Sequence, residues 1–143
     1  MNGTGGKGMG EGKRILIIED DPSVTAYLSR LLLTIGYEVE TADNGAQGLE
    51  RAASDDISLI ISDLCMPGEP SKMDLIRKLR ELRPHIPLVV ISGYPTQDRL
   101  EACREIGVTE FLTKPFEISF IRTVLKRTLE SSPSNHAKGG FRP

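Results

Sequence analysis

Cysteine is scarce in this sequence: Cys65 and Cys103 are the only two, and they form no CxxC pair. That speaks against a disulfide framework. No apolar run approaches the ~18 residues that a membrane span requires. The opening segment, Met1–Gly12, is rich in glycine and lacks the apolar stretch of a signal peptide. Neither sign of charge dominates. Eighteen Lys and Arg against 20 Asp and Glu leave a formal net charge of -2, so no broad field draws nucleic acid or anionic lipid. His85 and His136 have no neighbours at metal-ligand spacing. These absences point to a soluble protein of a reducing, cytoplasmic compartment, with no membrane contact.

What is present suits one domain. The chain has 143 residues, of which 38% are hydrophobic, enough for one core at this size. Met1–Gly12 reads as a disordered head and residues 132–143 as a flexible tail, which leaves a folded unit at 13–131. Inside it, short apolar runs alternate with helical patterns. Ile15–Ile18 is continuous rather than alternating, as in a strand buried on both faces. Asp21 before Pro22 starts a helix, with Tyr27, Leu28, Leu31, Leu32 and Ile35 at helical spacing and Gly36 as its stop. Tyr37–Ala42 reads as a second strand. An Asp43-Asn44-Gly45 turn follows, then a small-residue helix through Ala46, Leu49, Ala52 and Ala53. Strands at Ile57–Ser62, Leu88–Ile91 and Val108–Thr113 alternate with helices through Met73–Leu79, Thr96–Ile106 and Ile118–Leu129. Five βα units predict an α/β fold, a (βα)5 doubly wound parallel sheet with helices on both faces.

Ligands of such folds sit at the carboxyl ends of the strands. Glu19, Asp20 and Asp21 follow the first strand, Asp63 the third, Ser92 and Gly93 the fourth, and Lys114 and Pro115 the fifth. Crowded carboxylates repel one another and a hard divalent cation relieves them. Lysine and a hydroxyl can hold phosphoryl oxygens, and an aspartate carboxylate can accept a phosphoryl group as an acyl phosphate. Each piece alone has a plainer reading: a helix cap, a turn residue, a solvated loop. Their joint occurrence, in this order, favours phosphoryl chemistry.

Four segments carry a resemblance: ILIIEDDPSV (15–24), DLCMPG (63–68), PLVVISG (87–93) and EFLTKPF (110–116). Together they resemble the receiver domain of two-component response regulators, the CheY-like family, over nearly the whole folded unit. The resemblance implies a flavodoxin-like strand order 2-1-3-4-5. It implies Asp63 as phosphoacceptor, with Asp20 binding Mg²⁺ directly, Glu19 through water and Cys65 by its backbone carbonyl. Ser92 matches the switch hydroxyl, Phe111 the switch aromatic and Lys114 the family's lysine, aimed by a cis peptide at Pro115. Phe111 has a plainer reading as a packed strand residue. Asp21 falls just past the acidic pair and reads as a helix cap.

The implied function is a phosphoacceptor switch rather than an enzyme. Phosphate passes from a sensor histidine kinase or histidine phosphotransfer protein to Asp63 and alters a protein-binding surface, monomeric or weakly dimeric, toward a downstream target. Two positions depart from the pattern. Lys72 stands where glycine is usual, after a Glu69–Lys72 loop one residue longer, and Gly93 stands where alanine is common. Three other readings compete. A dehalogenase-like phosphatase would carry Asp-x-Asp after its first strand, whereas Cys65 lies two residues after Asp63. A nucleotide binder would want a glycine-rich loop where Glu19–Pro22 stands. A DNA-binding regulator would need more chain than follows Leu129, so direct nucleic-acid binding by this chain is not expected.

Overall fold

A computed structural model describes residues 12–64, 72–93, 96–114 and 118–130. The Gly-rich head before Gly12, the tail 132–143 and the Glu69–Ser71 part of the lengthened loop lie outside the described residues.

The apolar runs form the strands. They are β1 (Arg14–Ile18), β2 (Glu38–Ala42), β3 (Ile57–Asp63), β4 (Leu88–Ser92) and β5 (Glu110–Thr113). All pair in parallel, in the order β2-β1-β3-β4-β5. Between and after them run α1 (Pro22–Ile35), α2 (Gly45–Ala52), α3 (Lys72–Leu82), α4 (Gln97–Ile106) and α5 (Ile118–Glu130). Alternate residues of each central strand feed opposite faces. Ile15 and Ile17 pack with Leu28 and Leu32 of α1 and with Ile121 and Val124 of α5. Leu16 and Ile18 pack with Ala52 of α2, Ile76 of α3 and Cys103 of α4. Ile15–Ile18 are fully buried, which is why that run does not alternate.

The helix ends follow their capping residues. The Asp21 carboxylate accepts from the Ser23 amide at 2.9 Å. Asn44 and Thr96 cap α2 and α4 in the same way, each such cap contributing ~1 kcal/mol. Gly36 and Gly107 end α1 and α4 with φ of 119° and 100°, left-handed values that a side chain would strain.

The structure redraws several sequence-based boundaries. β2 begins at Glu38, with buried Tyr37 just before it, and β5 begins at Glu110 rather than Val108. Asn44 is a helix cap rather than a turn residue. Tyr27, expected on the inner face of α1, is 39% exposed and lines an open groove with Arg30 and Arg122. The buried side of α2 consists of Gly45, Gly48 and Ala52, and Ala46 faces out.

Two arginines, Arg80 of α3 and Arg83 just after it, hold the loops at the amino ends of the strands. Arg83 donates to the carbonyls of Ala52, Ser54 and Ile57. Arg80 donates to those of Arg83, Ile86 and Gly107. Both guanidiniums thus bind loop carbonyls at the amino ends of the strands.

Gly48 is a close helix–sheet approach. A Cβ there would lie 2.6 Å from Ile18 Cδ1 and 2.9 Å from Cγ1. We expect Gly48→Ala to destabilise the fold by about 1–3 kcal/mol through overpacking. Ile18→Val, which removes the nearest atom, should recover part of that loss in the double variant. Urea unfolding of the two single variants and the double variant checks this; strictly additive effects would contradict the contact.

Candidate functional site

Strand register brings the polar residues together. Ile18 pairs with Ser62, so the next residues, Glu19 and Asp63, leave the sheet side by side. Asp63 pairs with Ile91, and Ser92 with Thr113. The Leu64 amide then donates to the Ile91 carbonyl at 2.8 Å, and the Lys114 amide to the Ser92 carbonyl at 2.9 Å. The Glu19 amide donates to the Ala42 carbonyl at 2.9 Å. The backbone alone therefore pins each strand end that carries a candidate residue to its neighbour.

The side chains converge. One carboxylate oxygen from each of Glu19, Asp20 and Asp63 lies within 4.8 Å of the others. Glu19 and Asp63 are each only 3% exposed, while Asp20 faces solvent. Lys114 Nζ lies 3.2 Å from Asp63 Oδ2 and 3.5 Å from Glu19 Oε1. The other Glu19 oxygen accepts from the Asp21 amide at 3.1 Å. Glu19 Oε1 has no hydrogen-bond donor among the described residues.

This crowding shifts protons. Burial, then the adjoining Asp63 carboxylate, push Glu19 up from its ordinary 4.5 to about 7. Burial alone would lower Lys114, but the Asp63 and Glu19 charges outweigh it, and its pKa is raised. Lys114 is thus a fixed cation, and one ammonium faces three carboxylates. Among the described residues the donor set is all oxygen and compact, and Glu19 Oε1 meets only the long 3.5 Å ion pair with Lys114. Such a set fits a hard divalent cation such as Mg²⁺.

The remaining expected residues divide. Ser92 is fully buried at the end of β4. Gly93 is exposed, and a Cβ there would meet nothing within 4 Å among the described residues. Phe111 is 3% exposed and packs among Val90, Leu100 and Cys103, on the face away from α1 and α5. Asp21 caps α1, as expected, and is held below its ordinary pKa by donors on Ser23. Cys65 and the peptide at Pro115 lie outside the described residues. Cys103 is a core residue whose burial pushes its thiol up to about 11, which makes it a poor nucleophile. No helix among the described residues is long and apolar enough to cross a membrane.

Comparison with known proteins points the same way. Residues 15–126 match the family model of the response regulator receiver domain. The DNA-binding transcriptional regulator NtrC of Azospirillum brasilense is 32% identical over 118 residues, which cover 82% of this chain and 24% of the relative. The chain spans from about a quarter to about half of the length of the curated relatives it matches. Among solved structures, the response regulator TrrA of Thermotoga maritima in complex with Mg²⁺-BeF is 26% identical with a TM-score of 0.73, covering 82% of this chain and 99% of that one. A response regulator from Burkholderia pseudomallei with a phosphorylated aspartic acid, calcium ion and citrate is 28% identical with a TM-score of 0.72, covering 85% and 69%.

The raised pKa of Glu19 carries a pH signature. Between about 4.5 and about 7 the folded state holds a proton that the unfolded state releases. Stability in a chelator should therefore fall as pH rises through that window. Glu19→Gln should flatten the slope and Mg²⁺ should offset it. Thermal melts across the window check this, and a slope unchanged in Glu19→Gln would contradict it.

Proposed function

The chain belongs to the response regulator receiver domain family, a signalling switch of two-component systems, and from that premise we propose that Asp63 is its phosphoryl acceptor. The observation that carries the assignment is the pairing of a buried Asp63 with Lys114 Nζ at 3.2 Å, beside Glu19 and Asp20. Asp63 is the strand-end carboxylate that both the lysine and the acidic pair converge upon.

In the proposed reaction an Asp63 carboxylate oxygen attacks the phosphorus of a donor phosphohistidine, the P–N bond breaks, and its electron pair leaves with the imidazole. Glu19 and Asp20, with Asp63 itself and the Cys65 carbonyl, would hold Mg²⁺. When bound, that ion supplies charge neutralisation for the transferring phosphoryl oxygens. Lys114 is already charged and needs no reorganisation to pair with a phosphoryl oxygen as charge develops. Ser92, buried at the end of the adjacent strand, donates a hydrogen bond to the acquired phosphoryl group. Phe111 follows as the switch aromatic. The domain promotes its own phosphorylation and dephosphorylation but has no separate substrate.

Residues 13–131 form the working unit. The donor is a sensor histidine kinase or histidine phosphotransfer protein, the output a protein target met through a changed surface, and the compartment the cytoplasm. NtrC of Azospirillum brasilense is a DNA-binding transcriptional regulator and CusR of Escherichia coli a transcriptional regulatory protein. The described residues of this chain correspond to the receiver portion, and that portion reaches a promoter only through a partner or a linked domain.

Incubation with radiolabelled acetyl phosphate tests the assignment. Label should appear only with Mg²⁺ and vanish in Asp63→Asn. Lys114→Ala should slow incorporation by about 10²-fold, as for other lost charge stabilisers. Label retained by Asp63→Asn would sink the assignment.

A further inference from the structure

Two arginines stand apart from the rest. Arg14 pairs with Glu38, Glu40 and Asp56, Arg51 with Glu40, Arg77 with Asp74 and Arg127 with Glu110. Arg80 and Arg83 bind loop carbonyls, and Arg99 and Arg104 are engaged as well. Arg30 of α1 and Arg122 of α5 make no ion pair or side-chain hydrogen bond among the described residues. Both are exposed, and both line one groove, with Ala26, Tyr27, Leu31 and Thr34.

The groove has a volume of about 450 Å³, within the range of sites that take a small organic molecule. Residues three and four apart on a helix share a face, so Ala26, Tyr27, Arg30, Leu31 and Thr34 form one stripe along α1. From Ala26 to Thr34 that stripe runs about 12 Å, at a rise of about 1.5 Å per residue. Leu31 is its buried base. The Thr34 hydroxyl donates to the Arg30 carbonyl at 2.8 Å, so it is spent on the helix. The two helices offer almost no negative charge to the guanidiniums. α1 contains no acidic residue, and α5 has only Glu130, at its last position. None of the residues of the carboxylate site lines this groove.

We propose that the groove between α1 and α5 binds a small organic carboxylate with an apolar body, a ring or a medium-length alkyl chain. The carboxylate pairs with Arg30 and Arg122, whose planar forks match its two oxygens. The body covers the Tyr27 ring and Leu31 and removes apolar surface from water. Charge complementarity selects an anion, because two cations share the groove and no carboxylate answers them among the described residues. Extent selects a free small molecule over a protein segment. Six described residues line the groove, against roughly 20–30 a side in a stable protein interface. The site lies outside the phosphoacceptor machinery and does not depend on the receiver reading.

Titration of the isotope-labelled full chain with octanoate, kept below its micelle-forming concentration and followed by amide chemical shifts, tests the site. Saturable shifts are expected across residues 26–34 and at Arg122, with a dissociation constant of about 1 mM, as suits a ligand of this size. Arg30→Gln and Arg122→Gln should each weaken binding by about tenfold, the cost of a lost charged hydrogen bond. The same spectra report that each variant is folded. Arg77→Gln, on α3, should bind as the wild type does. Octanamide keeps the body without the charge, and acetate the charge without the body. Both should bind at least about tenfold more weakly than octanoate. Shifts scattered over the surface, octanoate binding unchanged in both Arg30→Gln and Arg122→Gln, or acetate binding as well as octanoate would overturn the site. An acidic amphipathic peptide that shifts these residues where octanoate does not would also overturn it, and would make the groove a protein-docking face instead.

Discussion

Three carboxylates lie within 4.8 Å of one another, two of them nearly dry, and the fold is organised around that crowding. Left alone, such a group would repel itself or take up protons. The fold answers with one ammonium, Lys114, delivered by the fifth strand. Among the described residues, that one positive charge does not balance three negative ones. The site therefore remains short of cation, and Glu19 expresses that shortage by holding a proton up to about pH 7. An arrangement of this kind fits a hard divalent cation.

The scaffold delivers these groups through register rather than through loops. Parallel pairing aligns Ile18 with Ser62, Asp63 with Ile91 and Ser92 with Thr113. The residues that follow then emerge at the same edge. The opposite edge is closed by Arg80 and Arg83, which bind loop carbonyls there. One end of the sheet is thus held rigid and the other carries electrostatic stress. Between them, helix α2 approaches β1 so closely that Gly48 leaves room for Ile18, the residue just before the acidic pair.

Much of this is legible in the sequence, for definite reasons. Continuous apolar runs at Ile15–Ile18 and Leu88–Ile91 mark strands buried on both faces, because no polar residue is tolerated on either side. Asp21-Pro22, Gly36 and Gly107 mark helix ends because their backbone chemistry has few alternatives. The convergence of Glu19, Asp20, Asp63 and Lys114 follows once the sheet is taken as parallel. The strand order comes from the family likeness, since no local pattern encodes which strands pair. Tyr27 misleads because spacing alone places it near the apolar stripe, whereas its side chain lies at the stripe's edge. The Gly48 contact and the Arg80 and Arg83 bonds are invisible for a related reason. They join residues distant in sequence, and a glycine or an arginine near a helix has no local mark of what it meets. Glu19 and Asp20 are neighbours with opposite burial, a difference set by the sheet's edge and not by their side chains.

Chemical identification of the phosphorylated residue tests the role of Asp63 without intermediaries. Borohydride reduces an acyl phosphate to the alcohol, so the phosphorylated chain can be reduced with a deuterated reagent and mapped by peptide mass spectrometry. Deuterium is expected at position 63 alone, as the alcohol formed from its side-chain carboxyl, and only when Mg²⁺ was present during phosphorylation. Deuterium at Glu19, Asp20 or another carboxylate, with none at Asp63, would contradict that role.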